Sequence, residues 1–146
     1  FADAIAATVR ASSGNTAPGS ALNYVVPKFE NNGFESLRQV IDVSGDGAQN
    51  AGDNTAAARD AALAAGIDAI NGLPILGEAG LMNWYENNIK GGAGAFVIAA
   101  SSFDTFENAV KTKIGREIRN DIPAPATLAL LGLGLSGLAA VRRRKA

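Results

Sequence analysis

Residues 40–47 read VIDVSGDG, and Asp42 and Asp46 bracket the hydroxyl of Ser44 where an apolar, β-branched run breaks into glycines. Two carboxylates and a hydroxyl at such a point can ligate a cation, hold a phosphate, exchange protons or simply shape a turn. The rest of the inventory narrows the choice. The 146 residues include no His and no Cys. That removes disulfides, thiolate nucleophiles, the common zinc sites and every acid–base scheme built on imidazole. Oxygen donors remain, so any metal here is expected to be a hard cation such as magnesium, calcium or manganese.

The elements that must present these residues follow from the apolar pattern. Leu37–Ser44 reads as a strand. Ala17–Phe29 reads as a helix with Pro18 in its first turn, ended or bent at Pro27. Asn54–Ala65 is alanine-rich, opens on Asp53-Asn54 as cap and stops at Gly66. Residues 66–75 suggest a second strand of about five residues. Glu78–Ile89 is expected to be a helix burying Leu81, Trp84 and Tyr85, with Met82 also taken as packing. Ala95–Ala100 is a third strand candidate. Phe103, Phe106, Val110, Ile114 and Ile118 then form one helical stripe, capped by Ser101 or Ser102. At the other end, Phe1, Ile5 and Val9 recur at helical spacing, as though a helix were already under way; the expectation is a chain lacking its earlier part.

Strands separated by helices imply an α/β fold with a parallel sheet between helical layers, a three-layer Rossmann-like sandwich. Three strands make a narrow sheet, which again suggests that an N-terminal portion is missing. Parallel strands deliver their C-terminal ends to one shared edge, where ligands bind. Asp46 lies at that edge between two glycines, while Asp42 sits inside the strand. A buried ionised carboxylate must be paired or hydrogen-bonded, so Asp42 is expected to be a structural acid held by a neighbouring loop. Lys111, Lys113, Arg116 and Arg119 read as the solvated face of the last helix. Asn31-Asn32-Gly33 reads as turn chemistry.

Charge is unevenly spread. Residues 1–122 hold nine Lys and Arg against fourteen Asp and Glu, whereas residues 142–146 add four positive charges and no acid. A mildly acidic body lacks the basic face that collects phosphates, so nucleic acid is not an expected partner. Residues 126–141 form a sixteen-residue stretch without a charge. As a helix it rises about 24 Å, slightly short of a hydrocarbon core. With Arg142, Arg143, Arg144 and Lys145 as a membrane stop, it reads as a transmembrane helix with its basic end in the cytoplasm. Gly132, Gly134 and Gly137 spell a dinucleotide fingerprint, but inside a continuous apolar helix they lack the strand and turn that motif needs.

Pro123 to Leu135, followed by the arginine cluster, closely resembles the PEP-CTERM sorting signal of Gram-negative bacteria. The motif residues are Pro123, Ala124 and Pro125, with Ala124 standing where that family has Glu. The resemblance implies recognition by a membrane enzyme of the exosortase type. The protein would then sit in the inner membrane with its body on the periplasmic side, or be released to the surface or extracellular matrix. Ala124 lowers the expected efficiency of cleavage.

VIDVSGDGAQNAG, then ARDAALAAGIDAINGLPI and GGAGAFV, with SSGNTAPGSAL upstream, resemble the later half of a von Willebrand factor A-like domain. The resemblance runs over roughly residues 1–119. It implies a metal-ion-dependent adhesion site with Thr16 and Asp46 as ligands and Ser44 as a neighbour; that site's first loop, Asp-x-Ser-x-Ser, has no counterpart in this chain. The implied organisation is a partial domain over 1–120, a linker over 121–125, a membrane helix over 126–141 and a basic tail over 142–146. Magnesium or calcium is expected in the full-length parent and none in this chain alone. The leading functional expectation is a non-enzymatic adhesion or recognition module with a surface or matrix protein as partner. Two others remain open: a metal-dependent hydrolase using Asp46, and a structural matrix protein with a vestigial site.

Overall fold

A computed structural model describes residues 7–9, 14–34 and 36–121. The expected helix over Phe1–Val9 falls mostly outside the described residues, and residues 7–9 are irregular. The sorting-motif residues Pro123, Ala124 and Pro125, the apolar segment 126–141 and the basic cluster Arg142–Lys145 lie outside them too. No helix among the described residues is long and apolar enough to cross a membrane. The chain divides into residues 1–113 and residues 114–146.

The first unit opens with α1, Pro18–Val25, which tightens into a 3₁₀ turn over Val26–Phe29. Pro27 has no N–H to continue the α-helical ladder, which accounts for the change. Strand β1, Val40–Gly45, follows; Leu37, expected within it, is fully exposed. Helix α2 spans Thr55–Ala64 and is capped as its sequence demands. Asn54 Oδ1 accepts from Ala57 N at 2.9 Å. At the other end Gly66 adopts φ +103°, while Ile67 N bonds Ala62 O and Gly66 N bonds Leu63 O. That pair of bonds satisfies the last carbonyls in a Schellman motif.

β2 is Ala69–Pro74, α3 is Leu81–Asn88, β3 is Gly91–Gly92 and α4 is Phe103–Asp121. β1 pairs in parallel with β2, from Val40 opposite Ala69 to Gly45 opposite Pro74. The sheet order is β1-β2-β3, so β2 is central and every one of its residues is buried. The expected third strand over 95–100 needs correction. The ladder contact there reduces to single parallel bridges, Gly72 to Val97 and Ile75 to Ala100. Gly72 N bonds Phe96 O, Ile98 N bonds Gly72 O, and Ala100 N bonds Pro74 O. The missing rung is the one Pro74 would donate, and proline has no N–H to give. The named strand β3 is instead the antiparallel Gly91–Gly92 pair against Ala69 and Ile70. Gly92, at φ +89°, turns the chain there; a Cβ would sit 2.1 Å from Asp68 O. Buried Asn71 receives the returning chain, its Oδ1 accepting from Phe96 N at 3.0 Å.

Period-two alternation sends side chains to two faces. Ile41 and Ile70 join Leu22, Ala58, Ala62, Leu81, Tyr85 and Ile89 under helices α1 to α3. Leu73, Ile75 and Ile98 join Ala100, Phe106, Ala109 and Val110 under α4. Helices therefore cover both faces, as expected. Each fully buried aliphatic side chain contributes about 1.5–3 kcal/mol. The stripe on α4 is narrower than its spacing implied, because Phe103 is exposed. The buried face passes instead through Ala109 and Lys113. In the second unit, Ile114 and Ile118 are exposed as well. Ser102 immediately precedes α4, in the cap position expected for Ser101 or Ser102, and its N–H donates to Thr105 Oγ1 while its carbonyl accepts from Thr105 N.

Two further expectations are corrected on the α4 face. Lys113 is not solvated but 3% exposed, and it forms an ion pair with Asp42. Asp42 is partly open to solvent and is held by this helix lysine, not by a loop. On the opposite face Tyr85 is 1% exposed and lies across the glycines of both main strands. A Cβ at Gly72 would stand 2.8 Å from its Cδ1, and one at Gly45 would stand 2.9 Å from its hydroxyl. Burial first, and the nearby Asp46 charge second, push the phenol up to about 12.

Two outcomes are expected. Asp42→Ala should cost about 1–2 kcal/mol, since it strips a buried ammonium of its carboxylate while the acid itself is partly solvated. Lys113→Met should cost less; the reverse order in urea unfolding would contradict the pairing. For Tyr85 the folded-state value exceeds the unfolded value of 10. Its contribution is therefore intact below pH 10 and declines as pH rises toward 12, on the order of 2 kcal/mol in total. Urea unfolding from pH 8 to 12 should show this slope, and Tyr85→Phe should remove it.

Candidate functional site

The loop leaving β1 is built as a clasp. Asn50 accepts from Thr16 N through Oδ1 at 2.8 Å, and the backbone of Asn50 and Ala51 donates back to Thr16 O at 3.0 and 3.3 Å. Gln49 Oε1 accepts from both N and Oγ1 of Thr55, fixing the same loop to the start of α2. Asp53 N donates to Ser20 Oγ at 2.9 Å, and Asp53 Oδ2 accepts from Ser20 Oγ and Asn23 Nδ2. A Cβ at Gly19 would stand 2.2 Å from Asp53 O, so α1 approaches this loop at backbone distance. Small polar residues over 49–54 thus tie the segment around Thr16 to the exit of β1.

The clasp brings Thr16 to the edge where Asp46 stands. Thr16 Oγ1 and Glu78 Oε2 lie 3.6 and 3.7 Å from where a Cβ on Gly47 would be. Glu78, on the loop after β2, also accepts from Ala48 N at 3.1 Å and so braces the turn that carries Asp46. Asp46 is exposed and lines a crevice of about 260 Å³ together with Ile75, Leu76, Gly77, Ser101, Ser102 and Phe103. It takes part in none of the ion pairs among the described residues. Ser44 is exposed on the preceding turn of strand.

Thr16 and Asp46 are therefore gathered at one edge, with Ser44 two residues before Asp46 on the same strand end. Asp42 is not part of this edge group, because it is committed to Lys113 beneath α4. A paired-carboxylate arrangement of Asp42 and Asp46 is thereby not formed. One residue of this edge, Glu78, was expected only as the start of a helix and lies instead on the loop before α3. Glu78 carries a signal in retrospect, since it sits between glycines just past a strand end. Tyr85, expected as packing, is in the core.

The donors are all hard oxygens, which suits a hydrated divalent cation more than a soft metal. No group of three or more acids that could hold a metal ion occurs among the described residues. Glu78 is already engaged with a backbone N–H. The residues present thus fit a share of a coordination shell, with Asp46 and Thr16 as its members.

No curated protein and no solved structure matches the chain. Residues 121–145 match the PEP-CTERM protein-sorting motif, the signal for exosortase-dependent export to the cell surface. Residues 1–122, the whole body that carries the clasp and the Asp46 edge, match the family described as a protein of unknown function, DUF1194, and the chain belongs to that family.

Proposed function

We propose that this chain is a non-enzymatic recognition module of von Willebrand factor A-like type. Its sorting segment sends it to the membrane or cell surface, where it meets a surface or matrix partner through the Asp46 edge with the help of magnesium or calcium. One observation carries the reading: Thr16 and Asp46, from distant segments, are drawn to one strand edge by a dedicated set of hydrogen bonds. The parallel β1–β2 pair with helices on both faces supports it. When bound, a cation would offer an open coordination position to an acidic group of the partner.

The chain's own residues do the rest. Asp46 supplies a carboxylate that no ion pair among the described residues engages. The clasp holds Thr16 by its backbone N–H and C=O, with Oγ1 beside Gly47, and Glu78 keeps the 45–48 turn in place through Ala48 N. Exposed Leu76 and Phe103 give the crevice an apolar rim, which suits a protein surface better than a small polar substrate. The lack of His and Cys, and the pairing of Asp42 with Lys113, leave few groups for acid–base turnover and so favour binding over catalysis.

Magnesium gives up water reluctantly, so one carboxylate and one hydroxyl hold it poorly. Calorimetric titration of this chain with magnesium should give a dissociation constant of ~10⁻³ M or weaker. Asp46→Ala should abolish even that. Submillimolar binding that survives Asp46→Ala would contradict the assignment.

A further inference from the structure

Tyr85 is 1% exposed, yet its hydroxyl has no hydrogen-bond partner among the described residues. No side-chain nitrogen or oxygen among those residues is both sealed from solvent and unpartnered. The phenolic oxygen therefore keeps a trace of solvent access, and a Cβ on Gly45 would stand 2.9 Å from it. Gly45 immediately precedes Asp46, and the phenol senses the Asp46 charge. A rigid, buried ring thus holds an uncommitted donor at the root of the loop that carries an uncommitted carboxylate.

We infer that the Tyr85 hydroxyl is a ligand-facing donor of the Asp46 site, recognising an O–H group that accepts from the phenol and donates to the Asp46 carboxylate. The inference rests on the reading of the Asp46 edge as a recognition site. The chemistry follows from the inventory: the ionised carboxylate only accepts, and a phenol held protonated to about pH 12 is available to donate. A bare carboxylate would be repelled by Asp46, and an ammonium could not accept from Tyr85. A water or an alcohol does both. Such an O–H has two sources, a water of a hydrated divalent cation or a hydroxyl of a polyhydroxyl partner. Packing explains the ring but not the hydroxyl, because phenylalanine would fill the space over Gly72 equally well.

The chain has two tyrosines, Tyr24, 70% exposed, and Tyr85. Labelling the full chain with 3-fluorotyrosine therefore gives two fluorine resonances, with Tyr24 as internal control. Magnesium and, separately, xylitol would be titrated while the amides of residues 44–48 are followed in parallel. The Tyr85 resonance should move with at least one probe while Tyr24 stays, and the responding probe names the source. Asp46→Asn should abolish the shift. Tyr85→Phe, its folding checked by thermal melting, should weaken the same probe about fivefold, the value of one hydrogen bond. Loop amides that respond while Tyr85 stays still and Tyr85→Phe binds like wild type would overturn the inference and leave the Asp46 site standing. Silence from both the loop amides and Tyr85 would overturn the two together.

Discussion

The tie between Thr16 and Asn50 is the contact on which the candidate site depends. Thr16 gives its N–H to a side chain and takes two N–H groups from the loop backbone in return. The exchange runs through backbone groups and the Asn50 side-chain amide, so the geometry is fixed by directional bonds rather than by apolar packing, which is non-directional. Ser20, Asn23 and Asp53 repeat the arrangement one turn along α1. Thr16 stands beside the Asp46 loop because these bonds hold two distant segments side by side, and the strand alone would not bring it there.

Beneath the clasp, β2 sets the frame. Its six residues are all buried, and it pairs on both sides. On the β1 side the register is regular and sends Gly45 level with Pro74, which places the two strand ends together. On the other side Pro74 removes one rung, so the 95–100 segment follows β2 without forming a continuous strand. The interruption falls beside the edge where Ser101, Ser102 and Phe103 reach the crevice. Asp42 and Lys113 fix the opposite face by joining β1 to α4 across the sheet. Tyr85 does the corresponding work under α3, where two strand glycines make room for its ring.

Much of this was legible in the sequence because it is written in local chemistry. The cap at Asn54, the stop at Gly66, the bend at Pro27 and the exposed turn at Gly45-Asp46-Gly47 each follow from what one or two residues can do. Turn chemistry at Asn32, whose Oδ1 accepts from Phe34 N, is of the same kind. What stayed hidden depends on partners far along the chain. Lys113 looks like any helix-surface lysine until the sheet places Asp42 opposite it. Asn71 looks like a misplaced polar residue until Phe96 returns to claim its oxygen. Glu78 joins the edge only through a contact made by folding, its carboxylate accepting from Ala48 N. The third strand misled for a subtler reason: AFVIAA has strand composition, but the proline that interrupts its ladder lies on the neighbouring strand.

Residue-resolved paramagnetic broadening by manganese tests most directly whether the folded chain gathers Thr16, Asp46 and Glu78 into one cation-responsive edge, and it registers even millimolar binding. Broadening is predicted at the amides of Thr16, Asp46, Gly47, Ala48 and Glu78, with Asp42 and Asp60 unaffected and with the pattern lost in Asp46→Ala. Broadening centred on Asp42 or Asp60, or a pattern at residues 46–48 that persists in Asp46→Ala, would contradict the account.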